Sequence, residues 1–339
     1  ESDAPRGRGE LLRPGWGRYR LYGTADPNPA ADPFVPGDLH TVQTGIRALG
    51  DLTRQDKPWC LFVGTVGPHD PYIIPEHYAT MYDPADVELP PSYHDTLLDK
   101  PRIYQRQRRF WSQMTEDEYR EAIAHYWGYC TMQDDLLGMV LEALDASGQT
   151  DDTLVLFTSD HGDYVGAHGL FMKGVAAFDE CYRIPLVARW PRGITRPGRV
   201  VDEFVSLADF APTFAELAGT AMPATSGGSL VPFLRDECPA EWPDAMYSQF
   251  NGVELYYSQR FVQTKDWKYV YNGFDFDELY NLREDPHCLR NLAEDPRYRP
   301  VVEAMCRRMW RRGYAERDID CNPYPTVSMA PFGPAVGLE

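Results

Sequence analysis

Residues 153–174 read TLVLFTSDHGDYVGAHGLFMKG, and the change of texture inside this stretch decides the fold class. Thr153–Thr158 is a short continuous apolar run, the pattern of a strand buried on both faces. It breaks into Ser159-Asp160-His161-Gly162-Asp163 and then a loop punctuated by Gly166, Gly169 and Gly174. Upstream, Trp59–Val66 (WCLFVGTV) is a second apolar run, ending in Gly67-Pro68-His69-Asp70-Pro71. Between the two, Thr115 and Glu118 make a capping-box pattern. It opens a helix with Ile123, Tyr126, Trp127, Cys130, Leu137, Val140, Leu141 and Leu144 at helical spacing and Gly148 as its stop. Strand, helix and strand in that order argue for an α/β fold around a mostly parallel central sheet.

The alternation continues outward. Asp38 is placed to cap a helix bearing Leu39, Val42, Ile46 and Leu49, which ends before Pro58. Pro185–Trp190 reads as a third strand, Val200–Ser206 as a fourth, and Leu207–Leu217 as a helix stopped by Gly219. Near residue 235 the texture changes. Ala245–Phe250, Arg260–Thr264 and Trp267–Tyr271 are short β-type segments that suggest a small antiparallel sheet. A helix near Pro300–Arg312 and a Pro-rich tail follow. The expected division is an α/β catalytic domain over 1–235 and a C-terminal subdomain over 236–339. Residues 1–37, rich in Pro, Gly and Arg, read as an irregular lead-in.

The chain has 339 residues, 43% of them hydrophobic, enough for a large core. Lys plus Arg total 33 against 51 Asp plus Glu, a formal charge of −18. That balance disfavours a nucleic-acid partner, whose binding rests on cationic contacts to phosphate, but leaves room for a small anionic ligand in a locally basic pocket. The cysteines (Cys60, Cys130, Cys181, Cys238, Cys288, Cys306 and Cys321) form no CxxC pair, which favours free thiols and a reducing compartment such as the cytoplasm. No apolar run reaches transmembrane length, so no membrane partner is expected. The chain opens on Glu1 rather than Met, so a targeting segment is not observable. Oligomeric state is left open.

Ligands of open α/β sheets bind beyond the carboxyl ends of the strands, and both polar loops follow such ends. His69, Asp160, His161 and Lys173 are therefore expected to line one cleft. Asp160 and His161 offer one carboxylate oxygen and one imidazole nitrogen, a mixed set that suits several divalent metals. Neighbours on a regular strand point to opposite faces, so the pair can share an ion only where the chain turns, which Gly162 permits. Taken alone, Asp-His-Gly describes a solvated turn equally well. Three consecutive residues cannot form the triad that Ser159-Asp160-His161 suggests. Lys173, on a Gly-flanked loop, suits an anionic oxygen, with a solvated surface lysine as the plain alternative. His168 either lines the same pocket or packs structurally. His125 falls within a helical pattern, and Asp134 and Asp135 point about 100° apart around their helix. No HExxH, P-loop or GxSxG motif occurs.

In combination these segments resemble the sulfatase family. Thr153–Gly174 is similar to the second metal-binding segment of sulfatases and related phosphonate monoester hydrolases, and Gly64–Tyr72 (GTVGPHDPY) to the segment before it. Ile184–Arg192 (IPLVARWPR), Ser206–Gly219 (SLADFAPTFAELAG) and the WKYVYN and ELYNLREDP motifs of Trp267–Pro286 extend the resemblance over roughly residues 40–300. The resemblance implies an alkaline-phosphatase-like α/β sandwich with a smaller C-terminal antiparallel sheet. It implies hydrolysis of sulfate, or sometimes phosphate or phosphonate, esters of small molecules or saccharides. Asp160 and His161 would be metal ligands. Calcium is the first expectation, with manganese or magnesium as alternatives, since many members carry Asn where His161 stands. His69 would contact the transferred group or leaving-group oxygen, Lys173 would hold a sulfate oxygen, and His168 would be a third substrate-binding candidate.

One departure is large. The family's paired metal-binding aspartates at the end of the first strand are missing. So is Cys-x-Pro-x-Arg, or its serine variant, the source of the formylglycine nucleophile. The one Cys-x-Pro is Cys321-Asn322-Pro323, followed by Tyr324-Pro325. The expectation is a sulfatase whose nucleophile segment lies outside this chain. A non-catalytic binding member and a phosphodiester or phosphonate hydrolase are the alternatives.

Overall fold

The computed structural model describes residues 5–13, 15–26, 35–252, 256–273, 275–324 and 331–338. The strands are β1 (Glu10–Arg13), β2 (Gly17–Arg20), β3 (Tyr22–Thr24), β4 (Tyr72–Ile74), β5 (Val155–Thr158), β6 (Leu186–Arg189), β7 (Ala245–Phe250), β8 (Gln259–Thr264), β9 (Trp267–Tyr271) and β10 (Glu278–Asn281). The helices are α1 (Val35–Leu52), α2 (Glu76–Ala79), α3 (Arg102–Trp111), α4 (Glu116–Ala146), α5 (Asp179–Tyr182), α6 (Phe210–Leu217), α7 (Val231–Leu234) and α8 (Arg299–Ala315). Two compact units share them: residues 1–93, 107–155 and 163–172 form one, and 94–106, 156–162 and 173–339 the other. Among the described residues no helix is long and apolar enough to cross a membrane.

In the first unit, α4 starts where the capping box places it. Thr115 Oγ1 accepts the Glu118 N–H at 3.3 Å, and Glu118 Oε2 accepts the Thr115 N–H at 2.8 Å. Glu118 does more than cap. It receives both Arg6 guanidinium nitrogens at 2.6 Å and the Gly9 N–H at 3.1 Å, so the N-terminal segment is anchored on the helix start. The Arg6 contact, foremost among several donors, holds the Glu118 carboxyl down to about 2.

Of the lead-in, residues 5–13 and 15–26 carry more regular structure than their composition suggests. β1 and β2 pair antiparallel with Leu11 opposite Tyr19, and β3 pairs parallel with β4, Tyr22 opposite Tyr72. The expected strand at Trp59–Val66 is a second correction. Its backbone is extended, but it joins no ladder, and alternate side chains stand in solvent, with Phe62 90% and Val66 52% exposed. Val200–Ser206 likewise forms no strand, and Val200 is 84% exposed. An apolar run favours extended backbone, whereas a ladder also needs a neighbour's N–H and C=O about 4.8 Å away. One covered face in place of two gives the alternation seen at 59–66.

In the second unit β5 pairs with β6, and a four-stranded antiparallel sheet runs in the order β10-β9-β8-β7. Helix α8 covers this sheet, packing Val302, Met305, Met309 and Trp310 on Val262, Tyr269 and Leu279. The C-terminal segment is tied to β8 by a buried ion pair. Arg260 Nε and Nη2 donate to the two Asp318 oxygens at 2.5 and 2.7 Å, and Tyr247 Oη donates to the same carboxylate.

Both Arg260 and Asp318 side chains are at most 1% exposed, so Asp318→Ala leaves a buried guanidinium without its main partner. A loss of about 3–5 kcal/mol is expected, read from urea denaturation; a loss below about 1 kcal/mol would show that Asp320 substitutes. Burial pushes Asp277, which accepts from Tyr269 Oη at 2.6 Å, up to about 6 from 3.8. The folded state then binds the proton more readily than the unfolded state. Asp277 therefore adds stability as pH falls through about 6 and withdraws it as pH rises. Between pH 7 and 5 the thermal midpoint of wild type should gain on that of Asp277→Asn.

Candidate active site

His69 sits on a turn held from three sides within the first unit. The carboxylate of Asp38, in the first turn of α1 and 1% exposed, accepts the Val66 and Gly67 N–H groups at 2.8 and 2.9 Å, and Gln133 Nε2 at 3.0 Å. Asp38 was expected only to cap a helix; its acceptors go instead to the loop before His69. Gly67 leaves no room for a side chain, since a Cβ there would lie 2.3–2.4 Å from Gln133 and Tyr129. The His69 N–H closes the turn on the Val66 carbonyl at 3.1 Å. Its Nδ1 faces the Asp70 carbonyl at 2.8 Å and Asp70 Oδ1 at 3.3 Å.

Asp160 and His161 follow β5 in the second unit, and they do come together. His161 Nε2 lies 3.8 Å from Asp160 Oδ2, while Nδ1 faces the Gly162 carbonyl at 2.8 Å. The Nδ1 contact places the proton there and the ring's lone pair on Nε2. The turn depends on Gly162, whose N–H donates to the Cys181 carbonyl at 2.8 Å and whose Cβ would strike the Glu180 carbonyl oxygen at 1.9 Å. A hard oxygen beside an imidazole nitrogen fits a divalent cation in kind. In number it falls short: among the described residues no group of three or more His, Cys, Asp or Glu is arranged to hold one.

The Gly-rich loop between that pair and Lys173 belongs to the first unit, and its anchor is Asp163. One oxygen accepts Tyr72 Oη at 2.6 Å; the other accepts the Val165 and Met172 N–H groups, both at 2.9 Å. The loop is cross-tied by Tyr164 N–H to the Met172 carbonyl at 2.9 Å and Gly166 N–H to the Leu170 carbonyl at 2.7 Å. His168 is wholly buried inside it, in a left-handed conformation (φ 54°), with its N–H on Ser92 Oγ at 3.1 Å. Lys173 leaves the loop's far end in the second unit, half-buried. His69 and His168 thus belong to the first unit, and Asp160, His161 and Lys173 to the second.

Sequence reasoning passed over Asp38, Asp70, Tyr72 and Asp163 as site-building residues. Asp70 and Tyr72, in the quoted GTVGPHDPY, and Asp163, in TSDHGD, stood in the motifs as a signal, and Asp38 did not.

Residues 38–220 match the sulfatase family, and 166–314 match the family described as N-sulphoglucosamine sulphohydrolase, C-terminal. The chain belongs to the sulfatase family. The multifunctional alkaline phosphatase superfamily protein PehA of Trinickia caryophylli is 31% identical over 306 residues, covering 80% of this chain and 59% of that protein. Choline-sulfatase of Rhizobium meliloti (strain 1021) is 33% identical over 271 residues, 76% of this chain and 51% of that one. The crystal structure of the phosphonate monoester hydrolase of Agrobacterium radiobacter superposes with a TM-score of 0.68 at 30% identity, covering 81% of this chain and 58% of that one. This sulfatase-family chain thus spans little more than half the length of these relatives. Its fold is the alkaline-phosphatase-like α/β type, with the β7–β10 antiparallel sheet as the smaller C-terminal element.

Two donors are fewer than the six or more ligands that calcium, magnesium or manganese takes. Calorimetric titration of the 339-residue chain with calcium should accordingly show no stoichiometric site tighter than about 10⁻⁴ M. A tight site abolished by Asp160→Ala would mean that further residues here complete the shell.

Proposed function

We propose that this chain is the larger part of a metal-dependent sulfatase acting on the sulfate ester of a small molecule or saccharide. In this reading the formylglycine nucleophile is encoded outside residues 1–339. The observation that carries it is the construction of the two loops. Carboxylates hold the backbone of the His69 turn and of the loop over residues 163–172, in the two motifs that resemble the family's metal and substrate segments. The bare faces of Phe62 and Val66 support further chain covering that side of the first unit. A reducing compartment fits the scattered cysteines, none of which forms a CxxC pair.

The residues divide the work by their chemistry. Asp160 and His161 would hold the divalent cation, with calcium favoured and manganese or magnesium as alternatives. Bound there, the ion would supply electrostatic stabilisation to the ester oxygens. Lys173 neutralises a non-bridging oxygen, for which a fixed cation in a site shielded from water is worth far more than in bulk. His69 holds a proton at the leaving-group oxygen as the ester bond breaks. None of these groups supplies the covalent nucleophile, which falls to the formylglycine diol.

A second reading, hydrolysis of phosphonate or phosphodiester bonds, is favoured by the 30% identity to the Agrobacterium radiobacter enzyme. The intact protein, co-expressed with a formylglycine-generating system, should hydrolyse an aryl sulfate faster than a bis-aryl phosphate; the reverse order selects the second reading. Lys173→Ala should lower kcat about 10²-fold or more. Residues 1–339 alone should show no turnover above background. Turnover by the isolated chain that survives repurification and disappears in His69→Ala would require a nucleophile within it.

A further inference from the structure

The ring of His69 is flanked by groups that the family match does not account for. Asp70 is a neighbour in sequence, yet its side chain turns back toward the imidazole. Oδ1 lies 3.3 Å from His69 Nδ1, and the side chain is 11% exposed. Its other oxygen accepts the hydroxyl of Tyr19. Tyr19 comes from β2, opposite Leu11 in the β1–β2 ribbon, outside both matched ranges, which begin at residues 38 and 166. Burial, with the Asp70 charge and hydrogen bond adding to it, raises the Tyr19 hydroxyl above its ordinary value, so it remains a donor at working pH. The Arg13 guanidinium lies over the Tyr19 ring at 5.5 Å and steadies the ribbon side of the contact.

We infer that Asp70, anchored by Tyr19, is a positioning residue for His69. It rests on the reading of His69 given above. The plain alternative is that Asp70 merely completes a polar turn. Two features argue against it: its two oxygens serve different partners, and one partner is carried in from 51 residues away by a separate ribbon. The chemical consequence lies in the ring's protonation. Two acceptors face Nδ1, the Asp70 carbonyl at 2.8 Å and the carboxylate at 3.3 Å. Together they keep a proton on that nitrogen, so Nε2 is the atom that gives or takes the proton in the reaction. The carbonyl fixes the ring's direction. The carboxylate gives the Nδ1–H a second acceptor, as the orienting carboxylate of a catalytic histidine does.

The test separates orientation from folding. In nitrogen-15 NMR of the 339-residue chain, neutral His69 should be predominantly the Nδ1–H tautomer. Asp70→Asn should raise the Nε2–H fraction at least threefold, and Tyr19→Phe should move it in the same direction by less. In the intact protein Asp70→Asn should lower kcat about tenfold with KM within twofold, and Asp70→Glu should recover part of the loss. Tyr19→Phe, which keeps the carboxylate and removes only its anchor, covers the case in which Asp70→Asn fails to fold. Unchanged tautomer and kcat in the folded variants would overturn the inference and assign orientation to the Asp70 carbonyl alone. The two readings fail differently. If His69→Ala is itself without effect on kcat, the proposed role of His69 falls. If His69→Ala is inactive while Asp70→Asn matches wild type, only this inference falls.

Discussion

Within the first unit, the turn that carries His69 and the loop over residues 163–172 are each tied to the scaffold by one carboxylate, and the shape of both depends on those two ties. Asp163 gathers a tyrosine hydroxyl and two backbone N–H groups; Asp38 gathers two N–H groups and a side-chain amide. Loop backbone near a packed core has the same need for partners as helix or sheet but no ladder to supply them. Each buried donor left unpaired costs about 1–3 kcal/mol. Removing either carboxylate would strand three donors at once, so the loops have little freedom to rearrange while the scaffold stays folded. The His69 turn and the loop over 163–172 are thus set in place by the folded unit itself.

The same carboxylates explain how an acidic chain uses its charge. Burial drives Asp163 up to about 6, and the donors that converge on it pull the other way. The balance leaves it ionised at neutral pH, which three donors require, since a protonated carboxyl would turn one acceptor oxygen into a competing donor. Asp318, Glu118 and Asp179 are ion-paired with Arg260, Arg6 and Lys268.

The parts of the fold legible in sequence are those set by local signals. The capping box of α4, the helical spacing behind it, and the β-type segments of β7, β8 and β9 each depend on residues a few positions apart, and each stands close to where the pattern places it. The missing or mistaken parts depend on distant partners. The β3–β4 pairing joins residues 22 and 72, the Tyr72–Asp163 bond spans 91 positions, and Tyr19–Asp70 spans 51. No periodicity encodes such contacts. The run at Trp59–Val66 shows the converse: its composition specifies extended backbone correctly, while the ladder it was assigned depends on neighbours the run itself does not contain. Asp160 and His161 were legible as a pair because Gly162 marked the turn. Asp38 and Asp70 were not, because an aspartate's side chain gives no sign in sequence of which distant donor it will accept.

Residues 71–110 are largely irregular outside α2 and α3, yet part of the segment is firmly held. Residues 94–106 belong to the unit that contains the C-terminal sheet. Lys100, fully buried, donates to Asp95, Asp99 and the Leu289 carbonyl, each at 2.9 Å. Tyr104 donates to Glu278 of β10 at 2.7 Å and accepts from Gln259 of β8 at 2.8 Å. A fully buried lysine and a buried glutamate are costly unless each keeps its partners, so the segment and the sheet are held to one another. A substitution on β8 or β10 that disturbs Gln259 or Glu278 will therefore displace residues 94–106, although it touches no reactive group.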